Sequence, residues 1–395
     1  MKNNLYYTPE GVRDIYNEDC ERKQILERKL LNVLKTYGYH PIQTPTFEFF
    51  DVFNLEYGSR SSRDLYKFFD REGNTLVLRP DITPSIARCA ATCFQEESIP
   101  LRFSYTGNTF LNNSSHQGRL KERTQLGAEL IGEDSVDADA EMIALSAKLL
   151  QTAGLSRFVI SIGHVRFLAG LLEAAGIEDK ERETIYEFLL NRNYDALLSD
   201  MKSRDLSADL MDLFDLLTQS VSDIQILKEA LSKAEAYPEI AYAIRRLIRL
   251  DELLDIYGVK RFVTYELAMI SGLDYYTGII FGGYTYGSGE AVVKGGRYDR
   301  LLSAFGKDAP STGFVVMIDQ LLAALSKQHL SIPVNRNRKW ILYDAEHTRI
   351  ACQEANALRE RGETVELMPV TEKRTKAVYE EAAKTHGVSD LIYYL

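Results

Sequence analysis

At 395 residues, 45% apolar and 26% charged, the chain has the composition of a soluble globular protein but is too long for one compact core, so two or three domains are expected. The net charge of −10 argues against a protein whose main task is gripping a polyanion such as RNA, because phosphate contact needs clustered Lys and Arg. No apolar run approaches the roughly 18 residues that a membrane span requires. Residues 1–5 carry no apolar signal core, so a cytoplasmic protein is expected.

Ile25, Leu26, Leu30, Leu31, Val33 and Leu34 recur at helical spacing and predict a helix over 19–37, stopped by Gly38. A strand over 75–78 runs into Arg79-Pro80-Asp81, and Thr83-Pro84 opens a second helix through about 91. Residues 101–132 read as two strands around a polar loop at 112–118. A helix over 136–153 and a strand over 157–162 follow. From about 165 to 257 the chain turns rich in Leu, Ala, Glu, Lys and Asp with helical periodicity and almost no strand signal, as in a helical insertion.

Strand character returns at 262–270 and continues through the aromatic and glycine-rich stretch 275–298. A helix is expected around 313–325 and a linker at 331–337. Beyond it strands at 340–343, 364–368 and 391–394 alternate with helices at about 348–361 and 373–385, a small α/β unit. The expected fold class is α+β. Residues 1–330 form the main domain around a largely antiparallel sheet, with the helical insertion at about 165–257, and residues 338–395 form the second domain.

Cys20, Cys89, Cys93 and Cys352 make no CxxC pair, and Cys89 and Cys93, four apart on the second helix, read as small core-facing side chains. The six histidines show no HxxxH or HExxH spacing, so no metal site is expected. Gly287-Ser288-Gly289 lacks the third glycine of a dinucleotide loop and no GxxxxGK[ST] occurs, so no cofactor is expected.

Three stretches carry chemistry. Within 123–132, Leu126, Ala128 and Leu130 form one apolar strand face, while Arg123, Gln125, Gly127 and Glu129 share the other; Gly127 removes a side chain where a ligand approaches. A solvent-facing strand explains that pattern equally well. Tyr275 and Tyr276, set between Gly272 and Gly278, supply flat walls and phenolic hydroxyls for a small polar ring, or are ordinary strand tyrosines in a chain that has 23. Asp81 and Thr83 suit an ammonium group, and Asp81 equally suits a cap for the following helix.

In this order the stretches resemble the catalytic core of histidyl-tRNA synthetases, which are class II aminoacyl-tRNA synthetases. The similarity runs from Thr8-Pro9-Glu10-Gly11-Val12-Arg13-Asp14 through Leu78-Arg79-Pro80-Asp81, Gly118-Arg119, Gln125-Leu126-Gly127-Ala128-Glu129 and Gly272-Leu273-Asp274-Tyr275-Tyr276-Thr277-Gly278 to Gly295-Gly296-Arg297-Tyr298-Asp299. It implies a class II synthetase-like antiparallel sheet flanked by helices. It also implies a histidine pocket, with Asp81 and Thr83 near the α-amino group and Gln125, Glu129, Tyr275 and Tyr276 around the amine and imidazole. An ammonium wants carboxylate acceptors, and an imidazole wants a carboxylate or phenol at each nitrogen.

The departures from the family fall on arginines. The resemblance expects one after Phe110, one before Gly272 and one before Leu321; Leu111, Ser271 and Gln320 stand there. Those cations stabilise charge on the α-phosphate during amino-acid activation. Residues 340–395 resemble only the first part of the family's anticodon-binding domain.

A synthetase core that keeps the histidine pocket and loses these arginines resembles the regulatory subunits of ATP phosphoribosyltransferase. That resemblance implies no catalytic residues and no tRNA or membrane partner. It further implies self-association as a dimer of the core and a hetero-octamer with a short-form catalytic subunit, with histidine as effector. The competing expectations are an active histidyl-tRNA synthetase and a histidine sensor for another partner.

Overall fold

The structure is a computed structural model that describes residues 4–54, 62–112, 120–270, 275–334 and 337–395. The chain divides into two compact units, Met1–Ser331 and Ile332–Leu395. Part of the linker expected at 331–337 lies outside the described residues, as do most of the polar loop at 112–118 and residues 271–274.

The first unit opens with α1 (Asn17–Thr36), which buries the stripe Leu26, Leu30 and Leu34 and ends at Gly38, whose φ of +81° suits only glycine. Four short strands frame the next turn: β1 (His40–Pro41), β2 (Phe47–Phe49), β3 (Lys67–Phe69) and β4 (Thr75–Leu78). Then come α2 (Thr83–Cys93), with Pro84 in its first turn, and the long hairpin strands β5 (Leu101–Phe110) and β6 (Glu122–Ile131). Helix α3 (Val136–Thr152), capped by Ser135 accepting from Ala138 N–H, precedes β7 (Val159–His164).

The stretch expected to be a helical insertion holds α4 (Val165–Ala174), α5 (Asp179–Leu190), α6 (Tyr194–Lys202), α7 (Ala208–Asp215), the two-residue β8 (Ser220–Val221), α8 (Ile224–Ala234) and α9 (Pro238–Ile256). The small β8 had no signal of its own, and it exists by pairing with β9 (Val263–Glu266). The core closes with β10 (Ile279–Tyr284), β11 (Val293–Arg297), β12 (Ser311–Met317) and α10 (Ile318–Lys327).

A nine-stranded sheet organises this unit in the order β1-β5-β6-β12-β11-β10-β7-β9-β8. It is antiparallel except where β1 meets β5 and β7 meets β9, which is the mixed, α+β architecture expected. The strands β2, β4 and β3 make a separate antiparallel sheet. Buried α3 covers one face of the large sheet, with α9 packed on it. Asp139 of α3 holds this junction together. Its carboxylate accepts from Arg297 Nε at 2.9 Å and from Arg246 Nη2 of α9 at 2.7 Å, all three side chains being buried.

Two expectations fail here. Residues 313–317 belong to β12, not to the helix expected over 313–325, which begins only at Ile318. This strand lies between β6 and β11 and is buried on both faces, so its apolar residues run continuously and mimic a buried helix. Cys93 is exposed at the last residue of α2 and Cys89 is only half-buried, so the pair does not face the core.

The second unit is β13 (Arg338–Tyr343), α11 (Thr348–Glu360), β14 (Thr364–Pro369), α12 (Lys376–Thr385) and β15 (Val388–Tyr394), with all strands parallel in the order β14-β13-β15. Alternation along β13 sends Ile341 to a core with Ala351, Ala355 and Leu358, and Trp340 and Leu342 to the opposite core with Tyr379 and Ala383. Among the described residues no helix is long and apolar enough to cross a membrane.

Candidate functional site

A cavity of about 540 Å³ opens on the face of the large sheet, and Asp81, Thr83, Gln125, Glu129, Tyr275 and Tyr276 all line it. Four chain segments supply them. Asp81 sits in the turn after β4, Thr83 starts α2, Gln125 and Glu129 share a face of β6, and the tyrosines precede β10. Both faces of β6 are buried, so Gln125 and Glu129 do not form a solvent-facing surface.

Arg79 fixes the turn that carries Asp81. Its buried guanidinium donates to the carbonyls of Thr44 (2.9 Å), Pro45 (3.1 Å) and Asn108 (2.9 Å), tying two distant segments to one side chain. Asp81 does not cap α2, whose N-terminus has no side-chain cap. Its Oδ1 accepts from the Ile82 N–H at 2.8 Å and its Oδ2 from the Tyr275 hydroxyl at 3.1 Å.

Glu129 is the electrostatic centre. The Thr83 hydroxyl donates to its Oε1 at 2.7 Å, the Tyr105 hydroxyl to the same oxygen at 3.4 Å, and the Tyr298 hydroxyl to Oε2. Burial pushes the Glu129 carboxyl up to about 8, against the pull of these donors. The same burial, with the carboxylates nearby, holds Tyr105, Tyr275 and Tyr298 well above the usual phenol range, so each remains a donor. Gln125 Oε1 is buried with no hydrogen-bond partner, an acceptor that a ligand N–H would satisfy.

Tyr105 and Tyr298 are absent from the sequence-derived set, although both touch Glu129. Tyr298 lies inside the quoted Gly295–Asp299 string, whereas Tyr105 is one aromatic on an ordinary strand and has no signal. Tyr275, Tyr276 and Tyr298 pack as an aromatic cluster, with Tyr275 and Tyr276 ring centroids 4.9 Å apart and Tyr298 edge-on to Tyr275 at 5.8 Å. The glycine of β6 serves a different purpose from the one expected. A Cβ on Gly127 would overlap the Tyr105 ring and the Phe314 carbonyl, so it makes room for protein and not for a ligand. Gly313 likewise leaves space for the Glu129 carboxylate.

The opposite end of the cavity lies along β6 toward Arg123, six residues and about 20 Å from Glu129 at strand rise. Leu111, one of the positions where an arginine was expected, lines the wall there. Gln320, at another, donates from Nε2 to Glu290 Oε2 at 3.0 Å, and Arg123 Nη1 stands 3.8 Å from the same carboxylate oxygen. Ser271, the third position, lies outside the described residues.

The chain is similar to known proteins throughout its length. The family model described as histidyl-tRNA synthetase matches residues 11–321. An ATP phosphoribosyltransferase regulatory subunit from Acetivibrio thermocellus is 37% identical over 367 residues, covering 91% of this chain and 86% of that protein. A crystal structure of an ATP phosphoribosyltransferase regulatory subunit/histidyl-tRNA synthetase from Bacillus halodurans superposes with a TM-score of 0.86 at 32% identity, covering 99% of this chain and 98% of the other. A Nostoc histidyl-tRNA synthetase shares the fold at a TM-score of 0.80 and 19% identity, covering 97% of this chain and 90% of that one. With its histidyl-tRNA synthetase-like core and relatives of this identity along nearly its whole length, the chain belongs to the family of ATP phosphoribosyltransferase regulatory subunits.

Proposed function

We propose that this regulatory subunit binds free histidine in the cavity, does not activate it, and relays its presence to a short-form catalytic subunit of ATP phosphoribosyltransferase at the first step of histidine biosynthesis. One observation carries the reading: the cavity keeps an acceptor cage, while uncharged Leu111 and Gln320 stand at two of the positions where the resemblance expects arginines. Asp81, Thr83 and Gln125 receive the α-ammonium group, and Glu129 with Tyr275 and Tyr276 encloses the imidazole.

Leu111 and Gln320 have no charge to offer an α-phosphate, and the Glu290 carboxylate accepts from Gln320. By analogy with oxyanion donors each missing contact costs about 2.7–4 kcal/mol of transition-state stabilisation, and two or three together leave negligible turnover. The chain therefore works as a binding subunit, in the cytoplasm, as a dimer of the synthetase-like core within a hetero-octamer of four regulatory and four catalytic chains. Histidine bound here lowers the partner's activity through the reciprocal coupling that links any two sites.

The test mixes the purified chain with the isolated catalytic subunit. Activity should appear with this chain and fall when histidine is added, while histidine-dependent ATP–pyrophosphate exchange by this chain alone stays at background. Measurable exchange would establish a synthetase instead, and a catalytic subunit indifferent to the chain would point to another partner.

A further inference from the structure

Binding a free amino acid poses a charge problem that the proposed cage leaves unsolved. A zwitterion brings a carboxylate as well as an ammonium group, and the cage around Asp81 and Glu129 is acidic. A carboxylate entering it needs a cation. Among the described residues lining the cavity, the cationic side chains are Arg123 and Lys294.

Arg123 stands at the far end, with its charge opposed by Glu290 at 3.8 Å. Lys294 stands on the floor in the middle. In β11 it is two residues from Gly296, so both share a face. That face is the ligand side, because a Cβ on Gly296 would press into the Tyr276 ring at 2.7 Å. The rung of the sheet holding Gly296 runs through Gly313 to Glu129. The rung holding Lys294 runs through Val315 to Gly127 on one side and to Gly282 on the other. Lys294 therefore rises one same-face step, about 7 Å, from the acidic end. It is flanked on that rung by small or short side chains, and it is exposed to the cavity.

Resting on the histidine reading of the cavity, we propose that Lys294 is the specificity-determining cation that receives the ligand's α-carboxylate. A lysine suits the task because its ammonium is a point charge on a flexible four-carbon stem, able to meet one carboxylate without the bidentate fork that clamps a phosphate. This division of labour gives the cavity a preference for an amino acid over the corresponding amine.

Titration calorimetry with histidine and with histamine, which lacks the carboxylate, tests the assignment in the full-length chain. Lys294→Met should weaken histidine about ten- to hundredfold, the range for losing a charge-assisted hydrogen bond, and leave histamine affinity unchanged. Lys294→Arg should retain most of the histidine affinity. Histidine binding that is unaltered in Lys294→Met, or both ligands weakened equally, overturns the role of Lys294 while leaving the pocket in place. A parent protein that binds neither ligand sinks the histidine reading itself. Thermal unfolding of all three proteins separates a loss of binding from a loss of fold.

Discussion

Glu129 concentrates the chemistry of the cavity in one carboxyl group, and its environment makes two measurable demands. Burial raises its pKa from 4.5 to about 8. Between those values the folded protein holds a proton that the unfolded chain has lost, so this group's contribution to stability falls as pH rises from about 4.5 to 8 and is least favourable above 8. Replacing it by Gln removes the ionisable group at nearly constant shape. Thermal unfolding across pH should show Glu129→Gln gaining on the parent by several degrees between pH 5 and 8.5, with the gap closing near pH 4.5; parallel profiles would mean that the carboxylate is ionised without penalty.

The second demand is on binding. Glu129→Ala or Tyr275→Ala should weaken histidine at least tenfold by calorimetry, since one removes an acceptor and the other the wall and hydroxyl next to Asp81. Unchanged affinity in both variants places the ligand elsewhere.

Asp139 couples elements in the same way that Glu129 couples side chains. Its carboxylate joins Arg297, beside the cavity tyrosine Tyr298, to Arg246 on α9. Arg246→Met leaves Asp139 paired with Arg297 alone and strips donors from the Asp134 and Ser135 carbonyls. A loss of about 3 kcal/mol in urea denaturation is expected, as for breaking a buried ion pair, with faster amide exchange along α9. A variant as stable as the parent would show that packing by α9 suffices.

Elements with one buried stripe were legible in the sequence: α1 matches its expected span within two residues, and its buried Leu26, Leu30 and Leu34 are those of the periodic pattern. Elements buried on every side were not. In β12 the period that separates strand from helix vanishes, because both faces are covered and no residue is exposed. Cys93 was placed in the core by its spacing, yet α2 buries its first two turns and exposes its end.

All six residues assigned to the site line one cavity, and every described lining residue lies between Pro80 and Met317, within the first compact unit. A chain ending at Ser331 should therefore fold and bind histidine within about twofold of the full protein, as measured by calorimetry; a larger loss would give the second unit, with its own two small cores, a part in ligand binding.

The family, and the residue types that meet in the cavity, were written in the sequence by itself, because each is carried by the identity of residues within short strings such as Gln125-Leu126-Gly127-Ala128-Glu129. What only the tertiary structure decided are the relations between distant residues: Tyr105 and Tyr298 closing on Glu129, Arg79 knitting the turn before Asp81, Glu290 facing Arg123, and Lys294 rising from the cavity floor. The reason is physical. A hydroxyl on one strand acquires meaning only when sheet register sets it against a carboxylate on another, and register is fixed by the burial of whole faces, to which no single local string corresponds.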